Sequence, residues 1–195
     1  MGVKSLLSLI IMLSINSYGQ TDILKKVNRY MHEKEDYSKI LFVSVDQQKM
    51  FKIESGKISD SYKISTSKYG VGNQKGSNKT PLGLHKIKEK HGHDVPINGR
   101  MIGRVFYGQI AKIFLDSTIS KTDDITSRIL WLEGLEDGIN KGDNIDSYQR
   151  YIYIHGTSEE GRIGVPSSHG CIRMKNKDVI DLFKEVSIGT FVLIL

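Results

Sequence analysis

The sequence predicts a mainly β domain with a short helix at its start and one conspicuous helix near its end. From Ile40 onward, apolar and polar residues alternate in short runs that glycines and polar turns separate, which is the pattern of β-strands. Apolar residues recur at helical spacing over 23–31 and again over 179–186. The 195 residues fit one domain with a substantial core.

The first 19 residues have the character of a secretory signal peptide. Lys4 precedes an apolar run over 6–15, and the small residues Ser17 and Gly19 stand where a signal peptidase cleaves. The run is shorter than the roughly 20 residues that span a bilayer, and the alternative is a buried N-terminal helix. We expect an exported chain, in the periplasm or cell wall, that begins at Gln20 and has no membrane-spanning segment after cleavage.

A short N-terminal helical segment, residues 20–38, is expected before the main domain, residues 39–195. Thr21 and Asp22 can cap a helix. The apolar residues that follow at helical spacing are Ile23, Leu24, Val27, Tyr30 and Met31. This helix either packs against the domain or links it to the membrane side.

Strand patterns then follow one another along the main domain. The predicted strands are 40–45, 50–53, 58–65, 84–87, 109–115, 129–132, 151–154 and 190–195. The glycine-rich segment 66–83 is expected to be a loop, either an ordinary one or a functional one, and 99–104 starts another loop. Asn176 is expected to cap the last helix, over 177–186, which carries an apolar stripe.

The distribution of charge and the spacing of the histidines argue against two classes of function, nucleic-acid binding and metal binding. The 28 Lys and Arg residues exceed the 22 Asp and Glu residues but are scattered among them, which argues against nucleic-acid binding. A mildly basic surface suits an anionic polymer such as the bacterial wall, or serves solubility alone. His91 and His93 lack a third ligand at a suitable spacing, so we expect no metal. The sequence does not predict the oligomeric state.

The single cysteine, Cys171, is either a small buried hydrophobe or a reactive thiol. Strand 151–154 delivers His155, and a loop that folds back would place this imidazole beside the thiol as its base. Gly170 lets the backbone turn N–H groups toward a substrate carbonyl, as in an oxyanion hole. Arg173 would share a strand face with the thiol and could lower its pKa or hold a substrate carboxylate. Together, these residues favour the reactive thiol.

The same residues resemble the catalytic domain of the L,D-transpeptidases, the YkuD type. The chain has His155-Gly156-Thr157 and, about a dozen residues on, Ser168-His169-Gly170-Cys171-Ile172-Arg173-Met174, in the order of that family's signature. Some members carry asparagine where this chain has Arg173. Upstream, Thr80-Pro81-Leu82-Gly83 resembles the family's substrate-side segment, so that the resemblance extends from about Ile40 to Leu195.

This resemblance implies a β-sandwich fold and a peptidoglycan stem peptide as substrate, with no cofactor. Cys171 would attack the carbonyl between the third residue, a diamino acid, and the D-alanine of a tetrapeptide stem, and an amine of another stem would resolve the thioester. His155 would act as base and then as acid, oriented by the Gly156 carbonyl. The implied oxyanion donors are the N–H groups of Gly170 and Cys171, with His169 lining the pocket or orienting donors. The implied substrate-binding residues are Arg173, Ser168 and Thr80.

Three other functions stay open from the sequence. Water in place of the amine would make the same Cys171–His155 site an L,D-carboxypeptidase or a cross-link hydrolase. A papain-like wall endopeptidase has its cysteine before its histidine, and the order here is the reverse. A catalytically silent wall-binding module would keep the fold without turnover.

Overall fold

The computed structural model describes residues 20–32 and 37–195, which form two α-helices, two short 3-10 helices and ten strands. The predicted signal peptide lies outside the described residues. Helix α1 covers residues 20–31, and helix α2 is Asn176–Glu185. The strands are β1 Lys39–Ser44, β2 Lys49–Glu54, β3 Lys57–Lys63, β4 Gly83–His91, β5 Gly99–Ile102, β6 Val105–Ile110, β7 Ile125–Gly134, β8 Tyr153–Thr157, β9 Ile172–Met174 and β10 Phe191–Ile194.

All of these strands belong to one mixed sheet, which confirms the mainly β prediction. The main path runs β3-β2-β1-β10-β4-β7-β5-β6, and β8 and β9 branch from it because β8 pairs with β7 and β9 with β8. The pairs β1–β10 and β8–β9 are parallel. Beyond β3, Ser65 bridges to Arg173 of β9. The strands also form the path β3-β2-β1-β10-β4-β7-β8-β9, and this bridge joins its two ends. The sheet therefore curls around its own core.

The main core lies inside this curled sheet and is covered by α2. The apolar stripe of α2 buries Val179, Leu182 and Phe183 against side chains of β1, β8 and β9. From β8 and β9, Ile154, Ile172 and Met174 point into the core. Because side chains alternate across a strand, the neighbouring residues of β8 and β9 face the opposite way. The position of the core therefore decides which residues of these two strands can form a site.

Helix α1 packs against the other face of the sheet, which settles the choice left open by the sequence. Ile23, Val27 and Met31 are buried in a cluster with residues of β1, β2, β4 and β10, among them Phe42, Ile53, Leu84 and Leu193. Burying an aliphatic side chain of this size contributes about 1.5–3 kcal/mol. Among the described residues, neither helix combines the length and apolar character needed to cross a membrane.

The expectation of a loop over 99–104 and a strand over 109–115 was wrong. The structure has a hairpin instead, in which Ile102 pairs with Val105 and the two residues between them, Gly103 and Arg104, have φ of +54° and +70°. Two positive φ values in a two-residue loop match the right-handed twist of a hairpin. Because arginine rarely takes this conformation, the residue pattern here carries no hairpin signal.

The expectation that Asn176 caps α2 was also wrong. Asn176 is the first residue of the helix, and the cap position belongs to Lys175, whose side chain makes no capping hydrogen bond. The Asn176 side chain is buried, accepts hydrogen bonds from the hydroxyls of Thr126 and Ser127, and donates one to the Thr157 carbonyl. It therefore ties β7 and β8 to the start of the helix.

Candidate active site

Strands β8 and β9 bring the predicted nucleophile and base onto one face of the sheet. The two strands pair in parallel, with Ile154 opposite Ile172 and His155 opposite Arg173. Cys171 immediately precedes β9, so by strand alternation it shares a face with Arg173, and His155 faces the same way from β8. The loop that folds β9 back beside β8 is therefore present, as the sequence predicted.

The turn before Cys171 is held by buried hydroxyl groups. The Ser168 Oγ donates to the Cys171 carbonyl at 2.6 Å and accepts the Gly170 N–H at 3.2 Å. The Thr80 Oγ1 donates to the Gly170 carbonyl at 3.0 Å. Gly170 itself has a φ of +125°, a conformation that a residue with a Cβ atom rarely adopts. Serine, threonine and glycine thus fix the backbone that presents the thiol.

The Cys171 thiol lies between two backbone groups of the segment that leads into β8. The Tyr153 N–H points at the sulfur, with 3.4 Å between nitrogen and Sγ, and the thiol in turn lies 3.4 Å from the Tyr151 carbonyl oxygen. The residue keeps a partly exposed surface, yet the protein around the sulfur is dense enough to desolvate a thiolate. This burial raises the pKa of Cys171 to about 12, against the opposing effects of the Tyr153 N–H, Arg173 and Arg150.

His155 is held as a neutral imidazole of one tautomer. Its ring is buried, with 2 % of the residue exposed, and burial lowers the pKa of His155 to about 4. Nδ1 lies 2.6 Å from the Gly156 carbonyl oxygen. That oxygen only accepts, so Nδ1 carries the proton and Nε2 is left as an acceptor. The predicted contact between His155 and the Gly156 carbonyl is thus present.

Gly156 is required by the close packing behind His155. A Cβ atom at this position would lie 2.6 Å from Oδ1 of Asn176 and 2.7 Å from the carbonyl oxygen of Thr126. Contacts this short do not occur in folded proteins, so a side chain here would push β8 away from β7 and α2. The glycine that follows the predicted base therefore sets the position of the imidazole.

A chain of ionic side chains lies behind the thiol and the imidazole. The buried guanidinium of Arg173 donates to Glu159 Oε2 at 2.8 Å and to Asp123 Oδ1. The other oxygen of Asp123 accepts from Nδ1 of His169 at 2.6 Å. Burial acts to raise the pKa of Asp123, but Arg173, His169 and His155 together hold it below its ordinary value. Asp123 therefore stays ionised and links His169 to Arg173.

The implied substrate-binding residues do not have accessible side chains, and this expectation needs correction. Arg173, Ser168 and Thr80 are each 1 % exposed or less. Arg173 is occupied by two carboxylates, and the hydroxyls of Ser168 and Thr80 hold the turn at Gly170. These hydrogen bonds are made inside the protein, so the three side chains support the site from behind and do not line it.

The two implied oxyanion donors differ in availability. The Gly170 N–H already donates to Ser168 Oγ, which turns it away from a substrate. Among the hydrogen bonds of the described residues, none uses the N–H of Cys171. His169 is partly exposed at the rim, where its ring lies 5.9 Å from that of Tyr69. The Cys171 N–H is therefore the better donor for an oxyanion.

Sequence reasoning missed Asp123, Glu159 and Arg150. Asp123 and Glu159 stand in polar loops that carry no motif, and only the fold brings them to Arg173. Arg150 is held by the glycine-rich segment, because its guanidinium donates to the Lys79 carbonyl at 2.6 Å and to the Gly72 carbonyl at 3.3 Å. Its charge acts on Cys171, so the segment 66–83 helps to place a cation near the thiol.

A large pocket lies elsewhere on the described surface. It measures about 690 Å³, lies between β3 and α2, and shares no lining residue with the Cys171 site. Its walls carry charges of both signs, among them Asp60, Lys63, Asp178 and Lys184. The site is therefore defined by the chemistry that β8 and β9 bring together and not by cavity size.

The sequence of this domain matches that of one family of enzyme domains. The sequence model of the L,D-transpeptidase catalytic domain family, YkuD, matches residues 38–194. The match covers most of the chain and contains both His155 and Cys171. The chain belongs to the L,D-transpeptidase catalytic domain family.

Individual relatives share short, well-matched segments with the chain. The YqjB protein of Bacillus subtilis, named a putative L,D-transpeptidase, is 51 % identical over 45 residues, which are 23 % of this chain and 26 % of that protein. The YbiS protein of Escherichia coli K12, named a probable L,D-transpeptidase, is 46 % identical over 41 residues, 21 % of this chain and 13 % of that protein. The matched segments thus span about a quarter or less of these relatives.

Solved structures give a weaker likeness. An L,D-transpeptidase from Xylanimonas cellulosilytica has a TM-score of 0.47 and 19 % identity, over 83 % of this chain and 62 % of that one. An L,D-transpeptidase from Mycobacterium smegmatis has a TM-score of 0.47 and 14 % identity, over 81 % of this chain and 58 % of that one.

Proposed function

We propose that this chain is an exported peptidoglycan L,D-transpeptidase with Cys171 as its nucleophile. The thiol is acylated by a tetrapeptide stem with loss of D-alanine, and an amine acceptor resolves the thioester to form a cross-link. The observation that carries this proposal is the parallel pairing of β8 with β9, which places Cys171 and an oriented His155 on the same face. Membership of the L,D-transpeptidase catalytic domain family supports the substrate class.

The resting site holds a neutral thiol and a neutral imidazole. The pKa of Cys171 is raised to about 12 and that of His155 is lowered to about 4, so an ion pair is disfavoured before substrate binds. The proton therefore passes from sulfur to Nε2 of His155 as the S–C bond forms. The Tyr153 N–H, directed at the sulfur, and the charges of Arg173 and Arg150 favour the thiolate as it develops.

Acyl transfer then proceeds in two balanced steps. In the first, the Cys171 N–H stabilises the oxyanion, and the imidazolium of His155 gives its proton to the amine of D-alanine as the peptide bond breaks. In the second, the acceptor amine attacks the thioester and loses its proton to Nε2 of His155. The proton returns to the sulfur, which leaves as thiol, and the new amide is the cross-link.

Two groups around this pair act as positioning residues. The Gly156 carbonyl fixes the tautomer of His155. Asp123 holds Arg173 and His169 in place, and its charge acts on both Cys171 and His155. The predicted signal peptide supports export to the compartment in which stem peptides are found.

The test is to incubate the chain from Gln20 to Leu195 with wall fragments that carry tetrapeptide stems and to analyse the products by mass. We expect cross-linked stem dimers and free D-alanine, and neither from a Cys171→Ala variant. If shortened stems formed without dimers, the chain would be an L,D-carboxypeptidase and not a transferase. Full activity of the Cys171→Ala variant would rule out Cys171 as the nucleophile.

A further inference from the structure

The tip of the β5–β6 hairpin holds an arginine in an unusual backbone conformation. Arg104 has a φ of +70° in the two-residue turn between Ile102 and Val105. Asparagine and glycine adopt this conformation far more readily than arginine, which must overcome a steric cost. Backbone strain of this kind persists where the surrounding structure enforces it, and it is frequent at ligand-binding positions. The contacts of the Arg104 side chain show what enforces it.

The Arg104 guanidinium lies over a group of aromatic rings. Its central carbon is 4.5 Å from the ring centroid of Trp131 and 5.7 Å from that of Tyr151. One terminal nitrogen donates to the Tyr153 hydroxyl at 3.1 Å. The ring contacts and this hydrogen bond restrain the guanidinium and engage one of its donors.

The same two tyrosines contact the thiol. The backbone N–H of Tyr153 and the backbone carbonyl of Tyr151 are the two hydrogen-bond partners of the Cys171 sulfur. Cys171 also packs against the buried cluster that contains the side chains of Tyr153 and Trp131. Arg104 therefore lies on the aromatic side chains against which Cys171 packs.

Arg104 also differs from the two other arginines around the thiol. Arg173 is buried and paired with Asp123 and Glu159, and Arg150 is occupied by the carbonyls of Gly72 and Lys79. Among the described residues, Arg104 has one neutral hydrogen-bond partner, the Tyr153 hydroxyl, and no carboxylate within ion-pair distance.

Glu89, the acidic side chain whose charge acts on Arg104, does not serve as that partner. It accepts hydrogen bonds from the Tyr148 hydroxyl and from His91, and it acts on Arg104 only at long range. A preoriented guanidinium with uncommitted donors is suited to bidentate binding of a carboxylate.

We propose that Arg104 is a carboxylate-binding subsite for the donor stem peptide. The inference rests on the proposed function, because the bond that Cys171 attacks is flanked by residues that carry carboxylates, the terminal one of D-alanine and that of the diamino acid. The role that the sequence assigned to Arg173 thus falls to Arg104. The chemistry of the ligand is a peptide carboxylate adjacent to the scissile bond.

The test measures binding without turnover, in the background of Cys171→Ala. Trp131 is the only tryptophan of the chain and stacks on Arg104, so its fluorescence reports occupancy of this subsite directly. A tetrapeptide stem is titrated alongside one version amidated at the terminal carboxylate and another amidated at the diamino-acid carboxylate. Arg104→Gln should weaken binding of the free stem by about 10- to 100-fold, the range for a hydrogen bond to a charged group, and Arg104→Lys by less.

The amidated stems identify which carboxylate is bound. The stem that lacks the bound carboxylate should have a low affinity for the chain that retains Arg104, equal to the affinity of the free stem for Arg104→Gln. Its affinity for Arg104→Gln should be no lower than that. A matched control is Arg100→Gln on the same hairpin, whose guanidinium pairs with Asp124 at 2.6 Å; it should leave affinity within about twofold.

Two results would overturn the proposal. In the first, amidation lowers the affinity of each stem, relative to the free stem, by the same factor with Arg104 and with Arg104→Gln. In the second, Arg104→Gln binds the free stem with normal affinity. An unchanged near-UV circular dichroism spectrum checks that Arg104→Gln keeps the aromatic cluster. Because binding to Cys171→Ala needs no catalysis, this outcome is independent of whether the wild-type chain forms cross-links. Failure of the proposed function would instead appear as stem binding without turnover by the wild-type chain.

Discussion

At the scale of single residues, the proposed chemistry begins from a thiol and an imidazole that are both neutral at rest. Burial disfavours the charged form of each group, which raises the pKa of Cys171 to about 12 and lowers that of His155 to about 4. A preformed thiolate–imidazolium pair, by contrast, would make the sulfur reactive at all neutral pH values. The two cases differ in how the reactivity of the sulfur depends on pH.

Alkylation of Cys171 by iodoacetamide should rise by about tenfold per pH unit between about pH 6 and 9, because the thiolate fraction grows in that proportion below the pKa of the thiol. Loss of the reagent-accessible thiol can be followed by intact mass at each pH. Since Cys171 is the only cysteine, the signal is unambiguous. A rate that reaches a plateau below about pH 7 would mean that the ion pair exists before substrate binds.

The second prediction at this scale concerns the carboxylate of Asp123, for which the adjacent Asp124 provides a matched control. Its charge raises the pKa of Cys171 and that of His155, so Asp123→Asn should make alkylation of the sulfur faster at a given pH. Transpeptidation should nevertheless slow by about tenfold or more, because the buried Arg173 and the partly exposed His169 each lose a charged partner.

The control for Asp123 is Asp124→Asn. Asp124 pairs with Arg100 and not with the ionic chain behind the site, so neither the alkylation rate nor the turnover number should change appreciably. An Asp123→Asn variant that slows turnover but leaves the alkylation rate at each pH unchanged would contradict an effect of this carboxylate on the pKa of the thiol.

At the scale of elements, the period of the apolar residues predicted most of the secondary structure. The short apolar runs of β1, β2, β7 and β8 and the stripe of α2 were sufficient, because burial selects apolar residues that stand out in the sequence. β1 is buried on both faces, one against the main core and the other against α1. The β5–β6 hairpin was missed because its turn, Gly103-Arg104, lacks the residues that usually mark such turns. Asn176 was mistaken for a cap because its side chain is used by tertiary contacts that no local pattern reveals.

Helix α1 should contribute to the stability of the domain although it lies before the family match at residue 38. Val27 is fully buried against the sheet, so Val27→Ala should lower the free energy of unfolding by about 2 kcal/mol through lost burial and a small cavity. Urea denaturation measures the change. Lys25→Ala on the exposed side of the same helix should alter it by less than about 0.5 kcal/mol. Equal effects of the two substitutions would mean that α1 does not pack as described.

At the scale of the whole molecule, the sequence offered His155 and Cys171 as the proposed reacting pair but not the side chains that surround them. His155 and Cys171 stand in two short motifs about a dozen residues apart. The strand that delivers His155 could be read from local periodicity, whereas β9, which follows Cys171, was not among the predicted strands. Asp123, Glu159, Arg104 and Arg150 come from separate loops and turns, and the curled sheet alone brings them to the pair. Arg173 shares the thiol's strand face as expected, yet its burial, which decides its role, depends on packing from all of these segments.

The fold also makes stability depend on acid through two buried histidines. His85 and His155 each have a pKa lowered to about 4 by burial, against about 6.5 in an unfolded chain. The unfolded chain therefore binds protons first, and stability is lost as the pH falls from about 6.5 to about 4, by roughly 3 kcal/mol for each histidine. Thermal unfolding at about pH 7 and about pH 4 measures this loss.

Substitution separates the contribution of one histidine. His85→Gln should make the acid dependence shallower, whereas His93→Gln, at a side chain that is 87 % exposed, should leave it unchanged. If the stability of both variants fell with pH as steeply as that of the parent chain, this role of the buried histidines would be contradicted.

The most direct measurement is the intact mass of the chain after mixing with a tetrapeptide stem in the absence of an acceptor. We predict a mass increase equal to the stem less D-alanine, located on Cys171 by fragmentation and absent from both Cys171→Ala and His155→Ala. An adduct on another residue, or one that forms equally well without His155, would contradict acylation of Cys171 by His155-assisted attack.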